Sequence, residues 1–229
     1  MNPLPSADAG RSQPAWHGPS RAWFGEVYPG TVAPVIDVEG FEGKLAGIKA
    51  VRAHDPAFNE SAFLAAVERI FFGVLEAWTS LRPSLAQGVM ATAIFQQLRT
   101  QVLDYQGQGR RNVLDGLRLI SANVGGARSE GGMDTLTVRI NAESTDYDVE
   151  AASGRLIEGD KQPSEWTEDW IFQRPSNVAT TSAGTVSAQS CSACGAPVTV
   201  DVTSICPFCG AAVVSGRFGW LLTRIDRVL

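Results

Sequence analysis

Four cysteines are the residues of this chain whose type and spacing point most directly to chemistry. Cys191 and Cys194 form one Cys-x-x-Cys pair, Cys206 and Cys209 form a second, and eleven residues separate the two pairs. A Cys-x-x-Cys pair at a tight turn directs two thiolates at one centre, and the glycine after each pair lets backbone N–H groups approach the sulfurs. Two such pairs supply the tetrahedral thiolate set of a structural zinc ion. The spacing therefore predicts a zinc ribbon that holds one Zn²⁺ in a closed, non-catalytic site.

The short length of this segment supports metal binding. Residues 191–214 are about two dozen, fewer than the roughly 40 below which an unaided core usually fails. Structural zinc contributes on the order of 10 kcal/mol to modules of this size. Two redox-active pairs or an iron centre are the alternatives, but the sequence offers no βαβ unit in which a thioredoxin-type pair would open a helix.

The composition is that of a soluble globular chain with an acidic balance. Of 229 residues, 44% are hydrophobic and 19% charged, and 24 acidic against 19 basic side chains give a net charge of -5. Such a chain has no general attraction for phosphate backbones, so we expect no nucleic-acid partner. We also expect no transmembrane segment and a cytoplasmic location, because no apolar run reaches the ~18 residues of a membrane span and no secretory leader is visible.

Composition divides the chain into four zones. Residues 1–51 are rich in Pro and Gly, residues 52–175 carry the periodicity of a folded core, and residues 176–190 have the uncharged Ser/Thr/Ala/Gly composition of a flexible linker. Residues 191–229 hold the zinc ribbon and a C-terminal strand. In that strand Phe218, Trp220 and Leu222 alternate, which predicts that they complete the ribbon.

Hydrophobic spacing in residues 52–175 predicts helices followed by antiparallel strands. Asp55-Pro56 is a helix-entry signal, and apolar residues then recur at three- and four-residue spacing as far as Trp78. A second helix is predicted over Pro83–Tyr105. After Arg111 the period changes to two. Strand alternation covers residues 117–119, 136–140 and 166–172, with a turn bracketed by Gly125-Gly126 and Gly131-Gly132. This order indicates an α+β domain with a sheet packed against helices.

Several of these features coincide with those of a known family. The sequence HDPAF at 54–58 precedes a helix that ends in EAW at 76–78, Arg82-Pro83 opens the second helix, and WTEDWIFQR at 166–174 closes the domain. The chain resembles the domain family of inner-membrane translocase subunit 44. It is most similar to bacterial members with a Trp-x-Glu-Asp-Trp-x-Phe-x-Arg ending, a linker and a terminal zinc ribbon.

The resemblance implies a fold and a role. The implied fold is of the nuclear transport factor 2-like or cystatin-like kind, in which a curved antiparallel sheet encloses an apolar hollow against helices. The implied role is non-enzymatic: association with the inner face of a membrane and tethering of other proteins. Mitochondrial members bind acidic lipids and a chaperone. The resemblance therefore favours a zinc-containing adaptor that binds a protein partner, a lipid or an apolar ligand, with peripheral contact at the inner face of the plasma membrane.

A stretch near residues 40–53 is the candidate membrane contact. Apolar residues recur there at helical spacing while basic residues lie off the stripe, which is the pattern of a short amphipathic helix at a membrane interface. Interior glycines weaken the helix, and a helix docked on the domain is the alternative. The candidate contact residues are Phe41, Lys44, Leu45, Ile48, Lys49 and Arg52.

A small enzyme is the alternative function. Trp166, Glu168 and Trp170 share one face of a predicted strand. If that face lines the hollow, Glu168 is a buried carboxylate between aromatic rings, an environment that raises a pKa and suits a lyase or isomerase. No Ser/His/Asp or Cys/His set and no phosphate-binding glycine loop is present, so the adaptor is the favoured hypothesis.

Overall fold

A computed structural model describes residues 41–180 and 219–228 of the chain. In these residues a helical half precedes a sheet, as the hydrophobic periodicity predicts. The helices are α1 (Phe41–His54), α2 (Glu60–Thr79), a short 3₁₀ helix (Pro83–Ala86) and α3 (Thr92–Gly107). The strands are β1 (Arg110–Val113), β2 (Arg118–Glu130), β3 (Met133–Glu150), β4 (Leu156–Pro175) and β5 (Leu221–Arg227).

Both predicted helix starts are wrong, and the side chains explain why. Helix α2 is capped by Asn59, whose side chain accepts a hydrogen bond from the Ala62 amide at 2.9 Å. Asp55 does not cap this helix, because its carboxylate is buried in an ion cluster described below. Pro83 opens the 3₁₀ turn, so α3 begins only at Thr92.

The five strands pair antiparallel in one curled sheet. Its order is β1-β3-β4-β5, and β2 also pairs with β3 beyond the end of β1. Gly131 and Gly132 make the β2–β3 turn with φ of 59° and 78°, a region that favours glycine. Gly125-Gly126, predicted to flank this turn, lies inside β2 at an irregularity in the register. Such bulges bend a strand, which is consistent with the curvature of the sheet.

One face of the sheet packs against the helices and forms the core. The β3–β4 register pairs Leu136 with Phe172 and Val138 with Trp170, all fully or almost fully buried. Phe63 of α2 packs edge-on against Phe172, with ring centroids 5.5 Å apart. These contacts confirm the α+β fold with a curved antiparallel sheet over helices.

Strand β5 completes this core, which corrects its assignment to the ribbon. Trp220 lies 5.3 Å from Phe63 between ring centroids, and Leu222 is fully buried. The strand pairs with β4 from Glu168 to Gln173. Its apolar face is therefore used by the main domain. Phe218 lies outside the described residues.

Helix α1 packs on β2. At the contact, a side chain on Gly47 would place its Cβ 1.9 Å from the backbone oxygen of Ala127, so only glycine allows this approach. Ile48 and Val51 are buried in the main core. The predicted helix is present, and its apolar stripe is used largely for docking on the domain.

Candidate functional site

The structure brings Trp166, Glu168 and Trp170 together on the helix-facing side of β4, as their alternation predicts. Glu168 is 3% exposed and lies opposite Ile140 of β3. Its Oε2 accepts a hydrogen bond from Trp170 Nε1 at 2.9 Å, while its Oε1 has no hydrogen-bond partner among the described residues. Burial raises the pKa of this carboxyl to about 7, against the lowering effects of the Trp170 hydrogen bond and of Arg227.

Aromatic rings pack together on the face of β4 that carries Glu168. Phe71 of α2 lies 5.8 Å from Trp166 and 5.7 Å from Trp170 between ring centroids. Trp166 also donates a hydrogen bond to Ser144 at 3.3 Å. The three residues predicted to line a ligand hollow therefore belong to a packed core, and Glu168 is enclosed rather than presented to a substrate.

A groove of about 400 Å³ opens between the second half of α2, β1 and the β1–β2 connection. No sequence pattern points to it, because its lining comes from elements that are distant in sequence. Two acidic side chains on its rim already have partners: Glu76 pairs with Arg82 at 3.2 Å, and Asp115 accepts a hydrogen bond from Tyr147 at 2.6 Å. The lining residues are Phe72, Leu75, Glu76, Thr79, Arg111, Val113, Leu114, Asp115 and Leu117.

Helix α1 divides the predicted membrane-contact residues between two faces. Leu45 is 51% exposed, and Lys49 and Arg52 are exposed at the next positions of the same helix face. Ile48 faces the core, and Lys44 pairs with Glu60 at 2.8 Å. Three of the six candidates thus form an exposed apolar and basic surface, whereas Ile48 is unavailable. The side chain of Phe41 is outside the part of the chain that the structure describes.

A buried ion cluster joins the two ends of the family-like sequence pattern. Arg174, 1% exposed, lies 2.8 Å from an Asp55 carboxylate oxygen and 3.1 Å from Asp134. His54 Nε2 lies 2.9 Å from the same Asp134 oxygen. Although burial acts in the opposite direction, hydrogen bonds from Thr180 and Arg174 hold the pKa of Asp55 below its usual value. HDPAF and the terminal arginine of WTEDWIFQR therefore meet at one structural site.

The same cluster anchors both ends of the segment that contains the cysteines. Thr180 donates a backbone and a hydroxyl hydrogen bond to Asp55, at 3.1 and 2.6 Å. Trp220, which precedes β5, lies under the Arg174 guanidinium at 4.6 Å from the ring centroid. Thr180 and Trp220, which lie on either side of residues 181–218, therefore both contact the same guanidinium.

The predicted zinc ligands Cys191, Cys194, Cys206 and Cys209 lie outside the described residues. Within the two described ranges, no group of three or more His, Cys, Asp or Glu side chains could hold a metal ion. The prediction of one structural Zn²⁺ therefore still rests on the spacing of the cysteines.

Comparison with known proteins places the chain in a family. The family model described as "Tim44-like domain" matches residues 45–185, so the protein belongs to the Tim44-like domain family. No curated protein matches the sequence. One similar solved structure is the intermembrane space region of the chloroplast protein ARC6, at 11% identity and a TM-score of 0.31, covering 72% of this chain and 95% of that one. In the described part of the chain, no helix has the length and apolar character needed to cross a membrane.

Proposed function

We propose that this protein is a non-enzymatic adaptor that associates peripherally with the cytoplasmic face of a membrane and binds a protein partner there. Membership of the Tim44-like family supports a membrane-associated interaction module. The observation that carries the proposal is the exposed face of α1, where Leu45 lies beside Lys49 and Arg52. An apolar side chain next to two cations suits the interface of an anionic bilayer.

The proposed membrane contact is weak by itself. Each Lys or Arg close to an anionic surface contributes about 1 kcal/mol, and a net charge of -5 opposes approach of the rest of the chain. Contact through α1 alone should therefore be salt-dependent and reversible. A second contact, made by a partner, is needed for stable attachment. The groove beside α2 suits that purpose, because Phe72 and Leu117 give it an apolar lining for a partner side chain or an apolar ligand.

Vesicle co-sedimentation tests the membrane part of the proposal. Wild-type protein should sediment with vesicles of mixed neutral and anionic lipid at low salt, and not with purely neutral vesicles. The double variant K49E/R52E should lose this binding. R69E/R99E is the matched control, because it makes the same charge change at exposed positions of α2 and α3 and should keep most of the binding. Equal loss in both variants, or no wild-type binding, would contradict a contact through α1.

We further propose that the four cysteines bind one structural zinc ion. The support is the spacing of the two Cys-x-x-Cys pairs and the shortness of the segment. Metal analysis of the purified full chain should give one zinc per protein, falling well below one in Cys194→Ser. Two redox-active pairs would instead give no zinc and two reducible disulfides. Iron in place of zinc would reveal the third alternative.

The packing around Glu168 counts against the alternative of a lyase or isomerase. A catalytic carboxyl must reach its substrate within hydrogen-bond distance. Here Phe71, Trp166 and Trp170 enclose it, and 3% exposure leaves no room for a substrate atom. The raised pKa of Glu168 is accounted for by this burial.

A further inference from the structure

The carboxyl of Glu168 has no role in the proposed function and is poorly satisfied where it lies. A carboxylate ion has two oxygens that together accept about four hydrogen bonds. Glu168 receives one, from Trp170, and its other oxygen has no partner among the described residues. An ionised group in this position is therefore costly, whereas the neutral acid is tolerated.

Among the described residues, Arg227 is the cation that acts on Glu168, and apolar side chains lie on its other sides. Across β3 its partner is Ile140, and the helix above contributes Phe71 through the neighbouring tryptophans. Across β5 its register partner is Arg227, whose positive charge lowers the pKa of Glu168 by less than burial raises it. Asp169 and Asp226 pair with each other in the next register position, so they lie on the opposite face of the sheet. Burial also raises the pKa of Asp226, and this second carboxyl must be separated in any test.

Strand β5 is held unequally along its length. Its first half is fixed on two sides, because Leu222 exchanges backbone hydrogen bonds with Val89 and Ala91 at 2.9 and 2.8 Å in addition to pairing with β4. Among the described residues, its second half has only β4 as a strand neighbour, and its last hydrogen bond runs from Val228 to Thr167 at 3.2 Å. Local opening should therefore begin at residues 225–228, directly beside Glu168.

We propose that the docking of residues 225–228 on β4 is controlled by protonation of Glu168. With the carboxyl neutral, the end of β5 stays packed and Ile225 remains in the core. When the proton is lost, lifting this half-strand lets water reach the carboxylate without unfolding the rest of the sheet. The opening also frees the edge of β4 beside Trp166 and Trp170.

The direction of the effect follows from linkage. In the closed state the pKa of Glu168 is about 7, and once solvated it returns toward its ordinary value of 4.5. Between these values the closed state binds more protons than the open state, so opening becomes more favourable as pH rises. Because one proton is involved, the equilibrium constant for opening rises by at most about tenfold per pH unit. Above about pH 7 it no longer depends on pH.

Amide hydrogen exchange of the full chain between pH 4.5 and 8, converted to protection factors, tests this proposal. Protection at Asp226 and Val228, whose amides face β4, should fall with pH in the wild type, by up to about tenfold per unit, and level off above about pH 7. In Glu168→Gln this decrease should disappear, because the amide cannot ionise. Glu165→Gln, an exposed carboxyl on the same strand, should behave as wild type, and Asp226→Asn isolates the contribution of that residue.

The amides of β3 distinguish local opening from global unfolding. If the proposal is correct, the amides of residues 226 and 228 exchange at lower free energy than those of Leu136 and Val138. Their pH dependence is then present in both the wild type and Asp226→Asn. The proposal is overturned if the end of β5 shows no dependence on Glu168. It is equally overturned if these amides exchange only together with those of β3.

Discussion

Arg174 shows how strongly a single buried charge depends on its partners. The guanidinium faces two carboxylates, Asp55 and Asp134, and the ring of Trp220 covers it. Burying three charged groups is costly, and their mutual attraction repays the cost only while all partners are in place. The cluster therefore stabilises this arrangement of the chain and penalises any arrangement in which one partner is missing.

Replacing Arg174 by Met should destabilise the protein by about 3–5 kcal/mol, because two buried carboxylates lose their counter-charge. Urea unfolding followed by tryptophan fluorescence would measure the loss. Arg118→Met is the control: its pair with Glu143 is largely exposed and screened by solvent, so the change should cost much less than Arg174→Met. Adding Asp55→Asn and Asp134→Asn to Arg174→Met should recover part of the loss. A cost near that of Arg118→Met would show that the cluster contributes little.

Glu168→Gln should make the protein more stable at neutral and alkaline pH. The pKa of Glu168 is about 7 in the folded state and 4.5 when solvated. The contribution of its protonated carboxyl to stability is therefore complete below about pH 4.5, is lost as pH rises to 7, and does not change further above that. The variant should match the wild type near pH 4.5 and exceed it at pH 8 by at most roughly 3 kcal/mol. Urea unfolding at the two pH values would measure this, and a larger advantage at low pH would contradict the assignment.

At the scale of elements, the docking of α1 depends on one close backbone approach. Gly47 meets the Ala127 carbonyl where no Cβ fits, and this contact sets the distance between the helix and β2. Ile48 and Val51 then reach the core from the same face. The consequence is that the opposite face, with Leu45, Lys49 and Arg52, is held in a fixed direction away from the domain.

Two glycine substitutions should have opposite effects on stability. Gly47→Ala forces α1 away from β2 and should cost about 1–3 kcal/mol, as over-packing does. Gly73 lies in α2, where a Cβ would have nothing within 4 Å of it, so Gly73→Ala should stabilise by about 0.5–1 kcal/mol through helix propensity. Chemical denaturation of both variants provides the comparison. Equal effects would mean that α1 is not docked at Gly47.

Periodicity in the sequence predicts the two long helices and the two longest strands, and long-range contacts explain why it misplaces a helix start and the last strand. The stripe through Phe63 and Trp78 predicts α2, and alternation from Leu136 and from Trp166 predicts the two long strands. The pattern Asp55-Pro56 predicts the start of α2 too early, because the Asp55 carboxylate pairs with Arg174, 119 residues away, and does not cap the helix. Likewise, local alternation cannot distinguish a strand that ends a zinc ribbon from one that joins a sheet formed earlier in the chain. Alternation therefore predicts Trp220 in the ribbon, whereas it packs in the core of the main domain.

The candidate sites were predictable to different degrees, because sequence periodicity shows which residues share a face but not which elements pack against that face. Alternation alone placed Trp166, Glu168 and Trp170 on one inward face. Helical spacing predicts α1, but it cannot show which side of the helix faces β2. The predicted membrane-contact residues therefore include Ile48, which is buried. The groove beside α2 and the Arg174 cluster depend on tertiary contacts that no sequence period encodes.

At the scale of the whole molecule, one buried side chain joins parts of the chain that are far apart in sequence. Thr180 and Trp220, which lie on either side of residues 181–218, both contact Arg174. Among the described residues, residues 41–180 and β5 share one core, and a fragment that stops at Thr180 lacks the buried side chains of Trp220, Leu222 and Ile225.

Replacing the 38 residues 181–218 by eight Gly/Ser residues should leave the domain folded. Eight residues reach up to about 26 Å, which is enough to connect two parts of the chain that both contact Arg174. A fragment that ends at Thr180 should fail to unfold cooperatively. Circular dichroism during urea unfolding of both proteins tests this, and a cooperative transition in the truncated fragment would show that β5 is dispensable.

The Arg174 cluster also has a consequence for the order in which the chain folds. It joins Thr180 to Asp55 across 125 positions and Asp134 to His54 across 80, whereas the β2–β3 turn joins neighbouring residues. Contacts of such long range must close large loops before they stabilise the chain, so we expect the β2–β3 hairpin to form first and the cluster to form late. A chain that collapses with α1 or β3 misplaced relative to β4 leaves Arg174 or its carboxylates unpaired. The cluster would thus destabilise compact but incorrect states late in folding, because such states bury unpaired charges.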